Sequence, residues 1–403
     1  TLRANNQAGE NIGINIVRAP NNQFGAVRKN ITIRNGFIAN FNVYSVRMDL
    51  GSSHITLENL TILSSDIRGK TSLTPTGILL DGLLPAGVPI SVRTSDILIK
   101  NCFVDNARFG FRARNADNVR VIDSTFNHNG SRGISAIDCN AWELTGCQAS
   151  QQQIADELGN FGLLLQGGDA WRIKNCDFSF NNLTSPVSSL LPSVGGAQLQ
   201  AAIDLNFVTV KESGGHVIEG CTFNNNTTTI PGVLVRGLEL AFTTSSVVRN
   251  CIANGNASVD TGQVGFFDAF GSMNLYENCM AAGNYGKLDT PVGAVGFDAF
   301  STEGACFRNC IALNNIELGL GFGTGFFVDD GSSHCLVQNC TSFSNSAEGF
   351  ANASGTSVFV GNLAFANPFN YAFAPLGFIT VLNGTQPPAG TFDERQIDNI
   401  SIV

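Results

Sequence analysis

No stretch of the 403 residues is apolar for long enough to cross a bilayer as a helix, and no signal peptide or lipidation motif is visible. Membrane insertion is not expected. Basic residues are few, 23 Lys and Arg against 32 Asp and Glu, which leaves a formal net charge of -9. Nucleic acids and anionic membranes are held by basic patches, so neither is an expected partner. A polyanionic glycan would need a bridging cation. Histidine is scarce, with 4 in the chain, and none lies in a Ser or Cys nucleophile context. His54 and His334 each end a Gly-Ser-Ser-His stretch; they, His128 and His216 all read as turn residues. No P-loop is present and no Gly-x-Gly-x-x-Gly leads into a helix, which removes the common phosphate cradles. Tyr (4) and Trp (2) are rare beside 30 Phe, so the aromatics belong mostly to a core.

What is abundant is a repeat. Asn-Cys recurs at Asn101-Cys102, Asn175-Cys176, Asn250-Cys251, Asn278-Cys279, Asn309-Cys310 and Asn339-Cys340. Gly146-Cys147, Gly220-Cys221, Asp123-Ser124, Asn35-Gly36, Asn59-Leu60 and Gly361-Asn362 are variants of the same rung. Every rung begins with Asn, Gly or Asp, the types that best tolerate positive φ. Each rung should therefore hold one left-handed residue that turns the chain between two strands. A second landmark is a Gly followed by a large apolar residue. Gly110, Gly133, Gly162, Gly237, Gly265 and Gly296 lie fourteen residues before the second rung residue, and Gly325 fifteen before. Ala202-Ile203 reads as the same landmark in its own coil. Units recur every 22 to 31 residues, apart from two wider gaps, and such a period signals a solenoid. Short alternating strands between turn residues are neither heptads nor leucine-rich repeats.

The expected fold is all-β, a right-handed parallel β-helix with three strands per coil and about 12 coils, its hand set by the rule for parallel crossovers. Residues 1–29 read as a lead-in, 30–370 as the β-helix and 371–403 as a C-terminal cap. Phe378–Val381 and Asn399–Val403 look like closing strands. Bare strand ends invite stacking, and no N-terminal cap helix is evident, so either residues 1–29 hold the remnant of a cap or an upstream segment or a neighbouring chain is expected to cover that end. The eleven cysteines read as free thiols packing as small hydrophobes. Stacked coils keep Cβ atoms about 4.8 Å apart, longer than the disulfide mean of about 3.8 Å. A metal at Cys306/Cys310 or Cys335/Cys340 lacks the usual zinc spacing.

Asn30-Ile31-Thr32-Ile33-Arg34-Asn35-Gly36 and Asn118-Val119-Arg120-Val121-Ile122-Asp123-Ser124-Thr125-Phe126 carry a resemblance. The chain looks like the right-handed parallel β-helix repeat proteins of the pectin-lyase-like superfamily, over roughly residues 12 to 370. Members include pectate lyases, polygalacturonases, alginate epimerases, phage tailspikes and surface proteins, so the resemblance implies a fold and not one activity. A polygalacturonase would show Asp-Asp, then Gly-His-Gly, then Arg-Ile-Lys. Here Arg172-Ile173-Lys174 precedes Asp329-Asp330, and Gly-His-Gly is absent. An epimerase would show Asp-Pro-His near Tyr-Gly, but Tyr285-Gly286 runs into Lys287-Leu288-Asp289.

Insertions fall repeatedly at one corner, at 150–161, 180–201, 225–236, 255–264, 284–295 and 315–324, which suggests a functional or assembly edge. Beside it, counting from each Gly or Ala, Asp204, Glu239 and Asp298 take the second position and should point outward. Asp81, Asp268, Asp329 and Asp330 lie nearby. Asp268 shares Phe-Asp-Ala-Phe with Asp298, and a bulge would bring it into register. Such a row could bind Ca²⁺ at Asp268, Asp298 and Asp329. It could supply acid and base from Glu239, Asp298 and Asp268 for glycoside hydrolysis. It could also be a solvated face. Asp204, Asp329, Arg112 and Arg114 are the substrate-contact candidates, the arginines for a carboxylate or sulfate.

The leading functional expectation is a non-catalytic structural or adhesive β-helix of a surface, filament or virion. It would be extracellular, self-associating, possessed of a phenylalanine-rich edge (Phe266, Phe267, Phe322, Phe327) and in need of no cofactor. The alternatives are a polysaccharide lyase or glycoside hydrolase, and a glycan-binding module without turnover.

Overall fold

The computed structural model describes residues 2–3, 12–16, 28–64, 75–81, 93–152, 159–184, 193–203, 209–211, 213–259, 261–286, 293–318, 323–373 and 400–402. Among these residues there is no helix. Strands pair in parallel except Ala202–Ile203 with Thr209–Lys211. The first long sheet stacks the strands ahead of the rungs, such as Ala116–Ile122, Arg172–Lys174, Val247–Arg249 and Cys306–Arg308. The second stacks thirteen strands that run through the Gly landmarks, from Ile12–Ile16 to Phe369–Phe373. The third follows the rungs and includes Ile252–Asn254, Met280–Ala282, Ile311–Leu313 and Ile400–Ile402. The sheets therefore take in Ile12–Ile16 and Ile400–Ile402, beyond the 30–370 span. Phe378–Val381 lies outside the described residues.

The rungs close the coils as their composition dictates. All twelve leading residues, from Asn35 to Gly361, have φ between 47° and 67°. His54, His128 and His334 also hold positive φ, at other corners. His216 is not a turn residue in that sense. It is fully buried, takes the Trp171 N–H on Nδ1 at 3.3 Å, and lies 2.9 Å from Ser213 Oγ through Nε2. Burial lowers its pKa to about 4, so it stays neutral.

Inside, each coil adds one layer to continuous columns. Phe266, Phe297, Phe326, Phe350 and Tyr371 stack with centroids 4.7–5.4 Å apart. Burying each such ring is worth about 1.5–3 kcal/mol. At one corner runs an amide ladder through Asn181, Asn226, Asn256, Asn284, Asn315, Asn345 and Asn367. Each Nδ2 donates to the next Oδ1 at 2.9–3.0 Å. Asn256 is thus an interior rung, although its sequence reads as a glycosylation sequon. This ladder also explains the Gly landmark: a Cβ on Gly265 would lie 2.7 Å from Gly296 O and 3.0 Å from Asn284 Nδ2. All eleven cysteines are free. Ladder thiols from Cys147 to Cys340 donate to the carbonyl two residues back at 3.2–3.5 Å.

Candidate functional site

The outer face of the second sheet gathers most of the candidate residues. Register places Gln198, Glu239, Phe267, Asp298 and Phe327 in one outward column, one residue per coil. Glu239 and Asp298 are two coil steps apart, about 10 Å at the usual strand spacing. Both are nearly covered, at 4% and 3% exposure. Glu239 is ion-paired with Arg236 and accepts from Gln198 Nε2 at 2.8 Å. The Arg236 guanidinium also lies over the Phe267 ring, 4.3 Å from its centroid. Asp298 has no such partner: its Oδ1 is buried without a hydrogen bond among the described residues. Burial pushes the Asp298 carboxyl up to about 8, aided by the Asp329 charge and opposed by Arg236. It is therefore a neutral acid near pH 7, the form that can donate a proton or a hydrogen bond.

Asp268 does not join this column. It pairs with Leu240 on one side and Ala299 on the other, so no bulge aligns it with Asp298. The reason is one extra phenylalanine. Gly265-Phe266-Phe267 aligns with Gly296-Phe297-Asp298, which shifts Asp268 on by one residue, and a one-residue shift turns a strand side chain to the other face. Asp268 is fully buried inside the coil. Its Oδ1 accepts from Asn274 Nδ2 at 3.2 Å, and burial pushes its pKa up to about 7.

Asp329 caps a turn. Its Oδ1 takes the Ser301 N–H at 2.9 Å and the Ser332 hydroxyl at 2.6 Å. Asp268, Asp298 and Asp329 thus face three different surroundings, and no group of three metal-ligating side chains converges among the described residues. The expected calcium set is not assembled. Asp204 lies outside the described residues, and the reading of its coil changes. Ser193–Gln200 is the second-sheet strand there, with Ala197 opposite Leu238, so Gln198 takes the column position assigned to Asp204. Ala202–Ile203 belongs to the antiparallel pair instead.

Arg112 and Arg114 lie on the same outer face, but Arg112 stands four coil steps from Glu239, about 19 Å. Arg108, Arg112 and Arg132 surround the Phe109 ring at 4.9–5.5 Å. This basic cluster is separate from the acidic one.

The phenylalanine edge is also redistributed. Phe266 is core, Phe322 lies outside the described residues, and Phe267 and Phe327 flank Asp298. Two exposed rings on this side, Phe270 (47%) and Phe300 (38%), lie just beyond them. Phe242 stacks on Phe270 at 4.8 Å, and Phe270 meets Phe300 edge-on at 5.4 Å. Phe242 and Phe270 have φ of 53° and 54°. Earlier coils put Asn115, Asp138 and Gly167 at this left-handed corner, which such residues tolerate. A bulky aromatic there costs about 1–2 kcal/mol. Arg236 and these rings were legible only by counting outward positions from Gly237 and Gly265 along the shared register.

Parallel strands closed coil upon coil by left-handed corners define a right-handed parallel β-helix with a polar and aromatic outer face. The chain belongs to the family described as right handed beta helix region, whose pattern residues 90–365 match. No curated protein matches in sequence. In fold the chain is similar to the A-module of mannuronan C-5 epimerase AlgE6 of Azotobacter vinelandii. The TM-score is 0.51 at 14% identity, covering 98% of this chain and 92% of that one. The AlgE4 A-module from the same organism gives 0.50 at 15% identity, with 85% and 79% covered. The Streptococcus pneumoniae surface protein and adhesin PfbA gives 0.49 at 9% identity, with 91% and 90% covered. At these identities the likeness is one of fold.

Proposed function

We propose that this protein is a glycan-contacting β-helix of an extracellular surface, filament or virion, and that it holds its glycan without turnover. The contact face is the outer side of the second sheet around Phe242, Phe270, Phe300, Arg236, Glu239 and Asp298. The observation that carries this reading is the pair of phenylalanines kept in left-handed backbone. The fold would accept Asn or Gly there at lower cost. A stacked, solvent-facing ring is what the extra strain obtains, and a flat apolar ring beside buried hydrogen-bonding groups suits the face of a sugar. The similar A-modules bear the name of a mannuronan epimerase, which suggests a ligand class by analogy of fold only. Isothermal titration against a panel of polysaccharides tests the proposal. Binding by the wild type and its loss in Phe270→Ala are expected. No binding to any glycan, or equal binding by the variant, overturns it.

A second reading rests on Asp298 and Glu239. A proton-holding carboxyl stands about 10 Å from an ion-paired carboxylate, at the wide end of the separation used by inverting glycosidases. Release of reducing ends, abolished by both Asp298→Asn and Glu239→Gln, would replace the binding reading with this one.

A further inference from the structure

We infer that the outer face of the first sheet, from the coil of Lys174 to that of Gln338, is a self-docking surface on which two copies of this chain pair antiparallel. Two columns on this face carry the argument. The first is a charge ladder: Lys174, Glu219, Arg249, Glu277, Arg308 and Gln338 occupy successive coils in register. Its signs alternate without a break from Lys174 to Arg308. Neighbours pair at 3.5 Å for Lys174–Glu219, 3.1 Å for Arg249–Glu219 and 3.8 Å for Arg308–Glu277. The second column runs beside it: Val217, Val247, Leu275, Cys306, Leu336 and Val358. In the preceding coils the same column holds Arg120, Glu143 and Arg172. The strand geometry is the same throughout, so nothing in the coil demands the change from charged to apolar. The third sheet changes in step. Its outward column passes from Thr125, Gln148, Asp177 and Thr222 to Ile252, Met280 and Ile311. Val358 and Ile311 are each 38% exposed, and Met273 at the adjoining corner is 66% exposed.

Symmetry selects the occupant and its direction. A two-fold axis parallel to the coil axis keeps each charge at the height of its own copy, so it either sets like charge against like or lays the ladder on the apolar column. A two-fold axis perpendicular to the coil axis reverses the ladder. Placed between the coils of Arg249 and Glu277, it sets Arg249 against Glu277 of the second copy and Glu219 against Arg308. The apolar column then meets itself over four coils, with Val247 against Leu275 and Val217 against Cys306, while Leu336 comes against Arg172 at the ends of the patch. Closed two-fold contacts of this kind use one patch twice. The patch is about 24 Å long and about 16 Å wide at ordinary strand dimensions. Its planar footprint of roughly 400 Å² is half the usual 800 Å² per partner, so the dimer should be weak and concentration-dependent.

Sedimentation velocity over a concentration series gives the first readout, with a monomer–dimer equilibrium in the micromolar range expected. Reversing one charge, Arg249→Glu, should abolish the dimer, and adding Glu277→Arg should restore it. Leu275→Lys keeps the ladder whole and should also give monomer, with circular dichroism showing that each variant is folded. Direction is read with a short bis-maleimide. Cys306 is the only one of the eleven cysteines that is not buried. Val217→Cys should give a cross-linked dimer, and Val217→Cys combined with Cys306→Ser should not. A wild-type protein that stays monomeric at all concentrations overturns the inference. So does a dimer indifferent to Arg249→Glu and Leu275→Lys, or a wild-type cross-link through Cys306 alone.

Discussion

Asp268 and Asp298 sit in adjacent coils within the same Phe-Asp-Ala-Phe sequence, yet one faces the interior and the other the outside. Asp268 is stacked between Leu240 and Ala299, and Asp298 between Phe267 and Phe327. Both are carboxyls deprived of water, and burial raises both pKa values, to about 7 and about 8. Only Asp298 lies on the outer face, where the proposed contact would be. Asp268 is a matter of stability.

The Asp268 carboxyl should make the protein more stable in acid than in alkali. An unfolded Asp releases its proton near pH 3.9, whereas folded Asp268 holds it to about pH 7. Between those values the folded state binds more protons, so stability is full below about pH 4 and falls as pH rises through about 7. The hydrogen bonds oppose this shift and are outweighed by burial: Asn274 Nδ2 and Thr302 Oγ1 each donate to Asp268 Oδ1 at 3.2 Å, which favours the carboxylate. Asp268→Asn is expected to raise the melting temperature at pH 8 and leave it unchanged at pH 4. Thermal melts monitored by circular dichroism at the two pH values check this.

Asn284→Ala should be among the costliest single changes in the interior. Asn284 Oδ1 accepts from Asn256 Nδ2 at 3.0 Å, and its own Nδ2 donates to Asn315 Oδ1 at 2.9 Å. Alanine strands Asn256 Nδ2 and the Asn256 N–H, which both donate to Asn284 Oδ1, in a site with no solvent exposure, whereas Asn315 Oδ1 keeps the residue-284 N–H at 3.4 Å. Each stranded group costs about 1–3 kcal/mol, so a loss of about 2–5 kcal/mol is expected. Urea titration against wild type measures it.

Asn278→Gly should be tolerated and Asn278→Val should not. Asn278 holds φ at 54° in its rung. Glycine adopts that conformation freely, whereas a β-branched residue there costs at least about 1–2 kcal/mol. The comparison of the two melting temperatures isolates the backbone, because both variants remove the amide.

Phe270→Asn should separate binding from folding. Asn suits the left-handed corner better by about 1 kcal/mol, and loss of the Phe242 stack costs about 0.5–1.5 kcal/mol. Stability should therefore stay within about 1 kcal/mol of wild type while polysaccharide binding falls at least tenfold. Paired thermal melts and titration calorimetry report the two quantities separately.

The coil was legible because its corners admit so few residue types. Asn35, Asp123, Gly146 and Gly361 differ in side chain but share one backbone need, and that need is visible in the letters. The outer face was less legible for the opposite reason: solvent-facing positions carry no such demand. One inserted residue, Phe267, sent Asp268 inward. In another coil the Gly-rich run at Gly195-Gly196 hid the true strand and left Ala202 looking like its start. Arg236 gave no signal of its own, since its partner Glu239 is defined by register and not by any short motif. The amide ladder is masked in the sequence by the Asn-Cys rungs, although Asn284 and Asn315 recur as regularly as Asn278 and Asn309.

The stacked corners also fix how the molecule yields to force. Each coil is fastened to the next by the same row of backbone hydrogen bonds and, over much of the length, one amide rung. Tension applied at the two ends would peel coils away singly, starting from an end. Most releases would free a coil of 22 to 31 residues, about 75–105 Å of extended chain, and the two wider coils about 140–155 Å. A pulled molecule would thus lengthen in discrete steps of one coil and stay rigid between them, behaving as a ratchet in series.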